Sequence, residues 1–263
     1  MTHLASVDGQ IGPASEAVIP ATDEGLLRGD GGFEVCRIYR GRAFALEDHL
    51  NRLRSTCQGL RLEHDFTALG REVEALLEEA GEVEGLLRLV LTRGGRRLAF
   101  VEPLPVVPES VRVATVTFSP PRILDGLKTL SYAGNMLAGR LAKEQGADEA
   151  LFVTPHGRVL EGPTWTFFWA VGGELCTPPL TEHILASITR ARLIDSLEVQ
   201  ERICTLDDLQ HAEEAFVAST VREALAIASI DDRPLPAAPG PLTVAAQAAL
   251  TACVELELFG TAT

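Results

Sequence analysis

The chain has 263 residues, 46% of them hydrophobic, and a formal net charge of −14. That is enough apolar material for one large core or two moderate domains of roughly 120 to 140 residues, which excludes a tail or a linker. The acidic balance argues against a nucleic-acid or anionic-membrane surface, since both need a clustered basic face, so the expected partners are small molecules.

In chain order, MTHLASVDGQ lacks the basic and apolar regions of a signal peptide, and no 18-residue apolar run is evident. The cytoplasm is therefore the expected location. FEVCRIYR, from Phe33 to Arg40, alternates as a strand does; GR then turns the chain and AFAL resumes, a hairpin feeding the helix EDHLNRLRSTCQGL. A second helix, FTALGREVEALLEEAG, ends at Gly81, and LLRLVLTRGG and VRVATVTF read as further strands. SPPRILDG, Ser119 to Gly126, is punctuated by two prolines and a glycine as a linker is. Beyond it come a helix carrying Lys128, the strand DEALFVT, the turn PHG, RVLEG, the strand pair TFFWAV and ELCTPPL, the helix ITRARLIDSLEV, the strand AFVAST and the closing helix LTVAAQAALTACVELE. The expected architecture is α+β: an N-terminal domain over residues 1–118, a linker over 119–126 and a C-terminal domain over 127–263, with a ligand cleft between the two mixed domains.

The five cysteines are scattered, without a C-x-x-C pair, and the six histidines show no i, i+4 pairing. Reduced buried thiols and no metal site are the expectation.

Lysine is the residue to question. The chain has 23 Lys+Arg, and only Lys128 and Lys143 are lysine. Arginine keeps its proton at any accessible pH, whereas lysine can lose one and become a nucleophilic amine. Lys143 suits the C-terminal end of a helix that stops at Gly146. Lys128 has no such structural reason, and a nucleophilic lysine makes most sense with a carbonyl partner such as pyridoxal phosphate. That cofactor needs donors for a phosphate dianion and an acid for a pyridine nitrogen. Ser187, Ile188 and Thr189 open a helix, and Ser219 and Thr220 end a strand; each group is either an ordinary cap or an anion site. Arg52 could add a counter-charge, or be a solvated helix arginine. Glu161, before Gly162-Pro163, could face the ring nitrogen or sit on a surface turn.

The strings GDGGFEVCRIYRGRAFALEDHLNRL, LKTLSYAGNMLA, GADEALFVTPHGRVLEG, ELCTPPLTEHILASITR and AFVAST, in that order over about residues 25 to 225, resemble the fold-type IV pyridoxal-phosphate enzymes. These are the class IV aminotransferases, among them branched-chain and D-amino-acid aminotransferases, (R)-selective amine transaminases and 4-amino-4-deoxychorismate lyase. The resemblance implies two domains of the D-amino-acid-aminotransferase type with pyridoxal 5'-phosphate in the cleft. It implies Lys128 as the Schiff-base lysine, Glu161 as the partner of the pyridine nitrogen, and Arg52, Ile188, Thr189 and Thr220 as phosphate ligands. Ser187 stands where the family usually has glycine and adds a hydroxyl. PTWTFF lacks the Asn common after the glutamate, and Tyr132 matches a position that contacts the ring hydroxyl in some members.

Phe33 and Val35 match substrate-facing positions. Lyase-like members carry a threonine where this chain has Val35, so aminotransferase is the expected activity, with lyase as the alternative and a non-catalytic cofactor-binding relative as a remote one. A substrate carboxylate would need a cation. Arg93, Arg96 and Arg97 lie on a glycine-rich hairpin that in this family reaches a neighbouring subunit, which implies a homodimer; Arg88 and Arg37 lie in strand patterns. The sequence does not choose among these arginines.

Overall fold

The computed structural model describes residues 3–260, and the chain divides into two compact units. One comprises Met1–Val106 with Leu127–Tyr132, the other Val107–Gly126 with Ala133–Thr263.

The first unit holds strands β1 (Leu4–Val7) and β2 (Gln10–Pro13), the short helix α1 (Glu24–Arg28), strands β3 (Gly31–Tyr39) and β4 (Arg42–Ala43), helices α2 (Leu46–Leu60) and α3 (Phe66–Ala80), and strands β5 (Gly85–Thr92) and β6 (Arg97–Pro103). Its six-stranded sheet runs β2-β1-β6-β5-β3-β4, antiparallel at every pairing. Alternation decides its faces. Cys36 and Ile38 on β3, Leu87, Leu89 and Leu91 on β5 and Ala99 and Val101 on β6 are buried against Leu53, Cys57, Leu69, Val73 and Leu76 of the two helices. Each such leucine contributes about 2 kcal/mol. The opposite face carries Phe33, Val35, Arg88 and Phe100, and helices α2 and α3 do not cover it.

The sequence places Lys128 on a helix, and the structure corrects this. Thr129 forms an antiparallel bridge with Gly32, Phe33 N–H donates to the Lys128 carbonyl at 3.0 Å, and Leu130 N–H donates to the Gly31 carbonyl at 2.9 Å. Pairing with the start of β3 takes up the groups a helix would use, and helix α4 begins only at Ala133.

The second unit contains β7 (Ser110–Thr117), α4 (Ala133–Glu144), β8 (Glu149–Val153), β9 (Arg158–Val159), β10 (Thr166–Val171), β11 (Glu174–Thr177), α5 (Ile188–Ser196), β12 (Val199–Glu201), β13 (Cys204–Thr205), α6 (Leu206–His211), β14 (Glu214–Ser219), β15 (Glu223–Ile230), β16 (Arg233–Pro234) and α7 (Pro241–Phe259). Its ten-stranded sheet runs β12-β11-β10-β14-β15-β7-β8-β9-β13, with β16 beside β15. VRVATVTF, expected in the first domain, is β7 and lies parallel to both β8 and β15. Residues 119–126 also group with this unit: Asp125 Oδ2 lies 2.6 Å from His183 Nδ1, and Arg122 contacts the same imidazole. The division therefore differs from the expected boundaries at 118 and 126.

Helix α7 corrects the expectation of no long apolar run, being long and apolar enough by composition to cross a membrane. Thr243, Ala246, Leu250 and Val254 form its buried stripe, and its N-terminus is fixed by Glu214, which accepts from Leu242 N–H, Thr243 N–H and the Thr243 hydroxyl. Four of the five cysteines are buried and all five are free thiols. Among the described residues no group of three His, Cys, Asp or Glu side chains could hold a metal ion.

Candidate active site

Lys128 is half-buried in the first unit, its Nζ 4.5 Å from the centre of the Phe33 ring and 5.8 Å from that of Tyr132. The two rings meet edge to face at 5.2 Å. Their negative faces attract the amine when it is charged. The main chain is fixed independently, because Lys128 N–H donates to Thr56 Oγ1 of α2 at 3.1 Å.

Glycine makes this approach possible. A Cβ on Gly31 would stand 2.6 Å from Leu130 Cδ1 and strike the Leu91 carbonyl; one on Gly32 would stand 2.9 Å from Thr56 Cγ2. Gly31→Ala is expected to displace the 127–132 segment, to cost about 1–3 kcal/mol and to weaken cofactor attachment. Thermal unfolding and visible absorbance check this. Gly12→Ala, with open space around its Cβ, serves as the control that changes neither.

Arg52 also points to this region, and the sequence reading missed what holds it. Glu34 is fully buried; Arg52 Nε donates to its Oε1 at 2.6 Å, Arg52 Nη2 to its Oε2 at 2.7 Å, and His49 Nδ1 lies 2.7 Å from the same Oε2. Burial alone would raise the Glu34 pKa, but the hydrogen bonds and charges of Arg52 and His49 outweigh it and bring the value down to about 2. Burial lowers the His49 pKa against the pull of Glu34, aided by the charges of Arg52 and Lys128. The imidazole is thus neutral near pH 7 and donates through Nδ1, since a carboxylate can only accept. A signal was available. Glu34 shares strand parity with Cys36 and Ile38, so it belongs to the buried face and needs a partner.

In the second unit, Ser187 caps α5, its hydroxyl accepting from Arg190 N–H at 3.2 Å. Among the described residues the amides of Ile188 and Thr189 meet no acceptor, and Thr189 is buried. Orphan amides at the positive end of a nine-residue helix are suited to an anion. Glu161 is half-buried and accepts from Leu185 N–H at 3.0 Å, which ties it to the segment leading into that helix. Ser219 ends β14, its hydroxyl accepting from Arg222 N–H at 3.2 Å, and Thr220 follows it. The atypical PTWTFF entry is filled by Trp165, whose Nε1 donates to Glu149 at 3.2 Å.

Four of the five candidate carboxylate-binding arginines have acidic partners within the first unit, and the fifth, Arg37, lies over the Tyr39 ring, 4.7 Å from its centre. Arg96 pairs with Asp8 at 2.7 Å, Arg97 with Glu72 at 2.7 Å, and Arg93 with Asp30. Arg88 lies directly across the sheet from Val35 and grips Glu102 with both Nε, at 2.7 Å, and Nη2, at 2.9 Å.

Taken by itself, the first unit holds an amine against two aromatic rings and an oriented guanidinium, groups suited to an aldehyde and an anion. Taken by itself, the second unit holds a carboxylate tied to the segment before α5 and, at the start of that helix, two amides without an acceptor, groups suited to an anion. Residues 31–230 match a family profile described as amino-transferase class IV. The chain is 32% identical over 254 residues to a putative branched-chain-amino-acid aminotransferase of Methanocaldococcus jannaschii, covering 86% of this chain and 88% of that one. It is 30% identical over 271 residues to the bifunctional aminodeoxychorismate lyase / D-amino acid transaminase of Mycobacterium tuberculosis, covering 90% and 94%. The solved structure of a hypothetical aminotransferase from Mycobacterium tuberculosis, in its PLP-bound form, superposes with a TM-score of 0.88 at 28% identity, over 96% of this chain and 98% of that one.

Proposed function

The chain belongs to the class IV aminotransferase family, and we propose that it moves an amino group from a D-amino acid, a branched-chain amino acid or an (R)-amine to a 2-oxo acid. Bound pyridoxal 5'-phosphate supplies a reactive carbonyl and an electron-withdrawing ring. The residues we assign to holding it are Lys128, Arg52, Tyr132, Glu161, Ser187, Ile188, Thr189, Ser219 and Thr220. Lys128 Nζ takes the proton from the donor's Cα and returns one to the acceptor's. Glu161 offers a carboxylate to a ring N–H. Arg52 and the α5 amides bind phosphate oxygens. Phe33 and Val35 form an apolar wall beside the amine.

The observation that carries this reading is the Lys128 amine 4.5 Å above Phe33, on the sheet face where the next residue along is Val35. Proton movement at Cα needs only the amine, whereas elimination gains from a hydroxyl that valine lacks. Holoenzyme mixed with a panel of D-amino acids, branched-chain L-amino acids and (R)-amines is expected to change its visible spectrum, and a 2-oxo acid to restore it. Lyase activity, pyruvate and 4-aminobenzoate from aminodeoxychorismate, is the second reading, favoured by the bifunctional relative. Val35→Thr is expected to raise that activity. If the wild-type protein yields pyruvate readily while no donor alters its spectrum, the second reading takes the place of the first.

The proposed working form is a cytoplasmic homodimer that binds neither nucleic acid nor membrane. Free thiols suit a reducing compartment, the net charge of −14 disfavours anionic polymers and membranes, and the exposed Leu26 and Leu27 of α1 give a second copy an apolar surface to cover. Sedimentation showing an active monomer at assay concentration would overturn the dimer.

A further inference from the structure

An aminotransferase has to accept two different substrates in turn at one site, and the first unit contains a device suited to that. It lies on the sheet face opposite helices α2 and α3. Phe33, under the Lys128 amine, is followed two residues later by Val35, so the two side chains share that face about 7 Å apart. Arg88 stands opposite Val35, and Phe100 opposite Arg88 on the far side. A ligand whose amino group meets Lys128 therefore projects its side group along Phe33 and Val35 toward Arg88.

Arg88 is already engaged by Glu102 through two near-parallel hydrogen bonds of 2.7 and 2.9 Å, the geometry a ligand carboxylate would adopt on the same guanidinium. The side chains are 35% and 29% exposed. A pair so placed is weak enough to exchange. The geometry points to Glu102 as a specificity-determining residue: it occupies the Arg88 fork while an apolar side group is bound, and yields the fork to the distal carboxylate of a dicarboxylic substrate. With the pair closed, the charge of Arg88 is balanced and the face presents Val35 and Phe100. With the pair open, Glu102 turns to water and Arg88 reads the acid. The inference rests on the proposed transaminase reading for the direction in which a substrate lies.

The test compares two inert ligands of equal length, glutarate and valerate, binding to the holoenzyme by calorimetry. Glu102→Gln is expected to tighten glutarate about fivefold, the equivalent of about 1 kcal/mol at the upper end for such pairs, and to leave valerate unchanged. Glu102→Thr, a residue at ease in a strand, should do the same and guards against a folding defect in the first variant. Arg88→Gln should abolish the preference for glutarate. Unchanged glutarate affinity in both Glu102 variants, a parallel change for valerate, or a preference surviving in Arg88→Gln would each overturn the inference. A holoenzyme that moves no amino group would instead remove the transaminase reading, and the ligand comparison would still report on the pair.

Discussion

Lys128→Ala is expected to yield a folded protein without covalently held cofactor and with transamination lowered at least about a thousandfold. Its backbone bonds to Thr56 and Phe33 use main-chain atoms, so the segment keeps its place when the side chain is cut. Lys128→Arg should be equally inactive, because a guanidinium forms no imine and does not give up its proton. Borohydride reduction of the loaded wild-type enzyme, followed by peptide mapping, should fix the label on the peptide carrying Lys128. Lys143 lies exposed in the last turn of α4, and Lys143→Arg should leave activity unchanged. A label on Lys143 would refute the assignment.

Glu34→Ala is the second large effect. It strips a fully buried carboxylate from Arg52 and His49 together, and breaking a buried pair costs about 3–5 kcal/mol. Cofactor retention should fall with it, since the guanidinium loses the bonds that fix its plane. Acid makes the same contribution visible. The Glu34 pKa is depressed from 4.5 to about 2, so its stabilisation is complete above about 4.5 and is lost as pH falls toward 2. By linkage that is about 3 kcal/mol. His49 acts in the same direction over a higher window, because its lowered pKa makes the folded state prefer the neutral ring below pH 6.5. Urea unfolding of wild type and Glu34→Gln at pH 7, 5 and 3 measures both. The gap between them should narrow as the pH approaches 3, and a constant gap would show that the carboxylate's charge is not the cause.

Much of this was legible in the sequence. Strand β3, helices α2, α3, α5 and α7 and the β10–β11 hairpin follow from apolar periodicity, and the two lysines isolate Lys128 as a question. What escaped depends on distant partners. β7 looks like any other strand; its assignment to the second unit comes from β8 and from β15, far along the chain. Lys128 sits in a stretch that reads as the start of a helix until Gly31 and Gly32 are seen to pair with it. Glu34 escaped because an acidic residue in an alternating strand is ordinarily taken to face water. The Arg88–Glu102 grip needs the register of β5 against β6, which no local pattern specifies.

The placement of β7 bears on synthesis. The six strands of the first sheet have all been made once Pro103 has emerged, and that unit then waits only for residues 127–132. β7 emerges next and finds a parallel neighbour in β8, but its other neighbour, β15, begins at Glu223. For most of the elongation of the second unit, the nascent chain thus carries β7 with one edge open, and an open parallel edge is what stray chains pair with. The hazard for this protein in a crowded translating cell is set by the order in which its strands are made, and a chaperone that covers β7 until Ile230 has left the ribosome would act on the vulnerable stage.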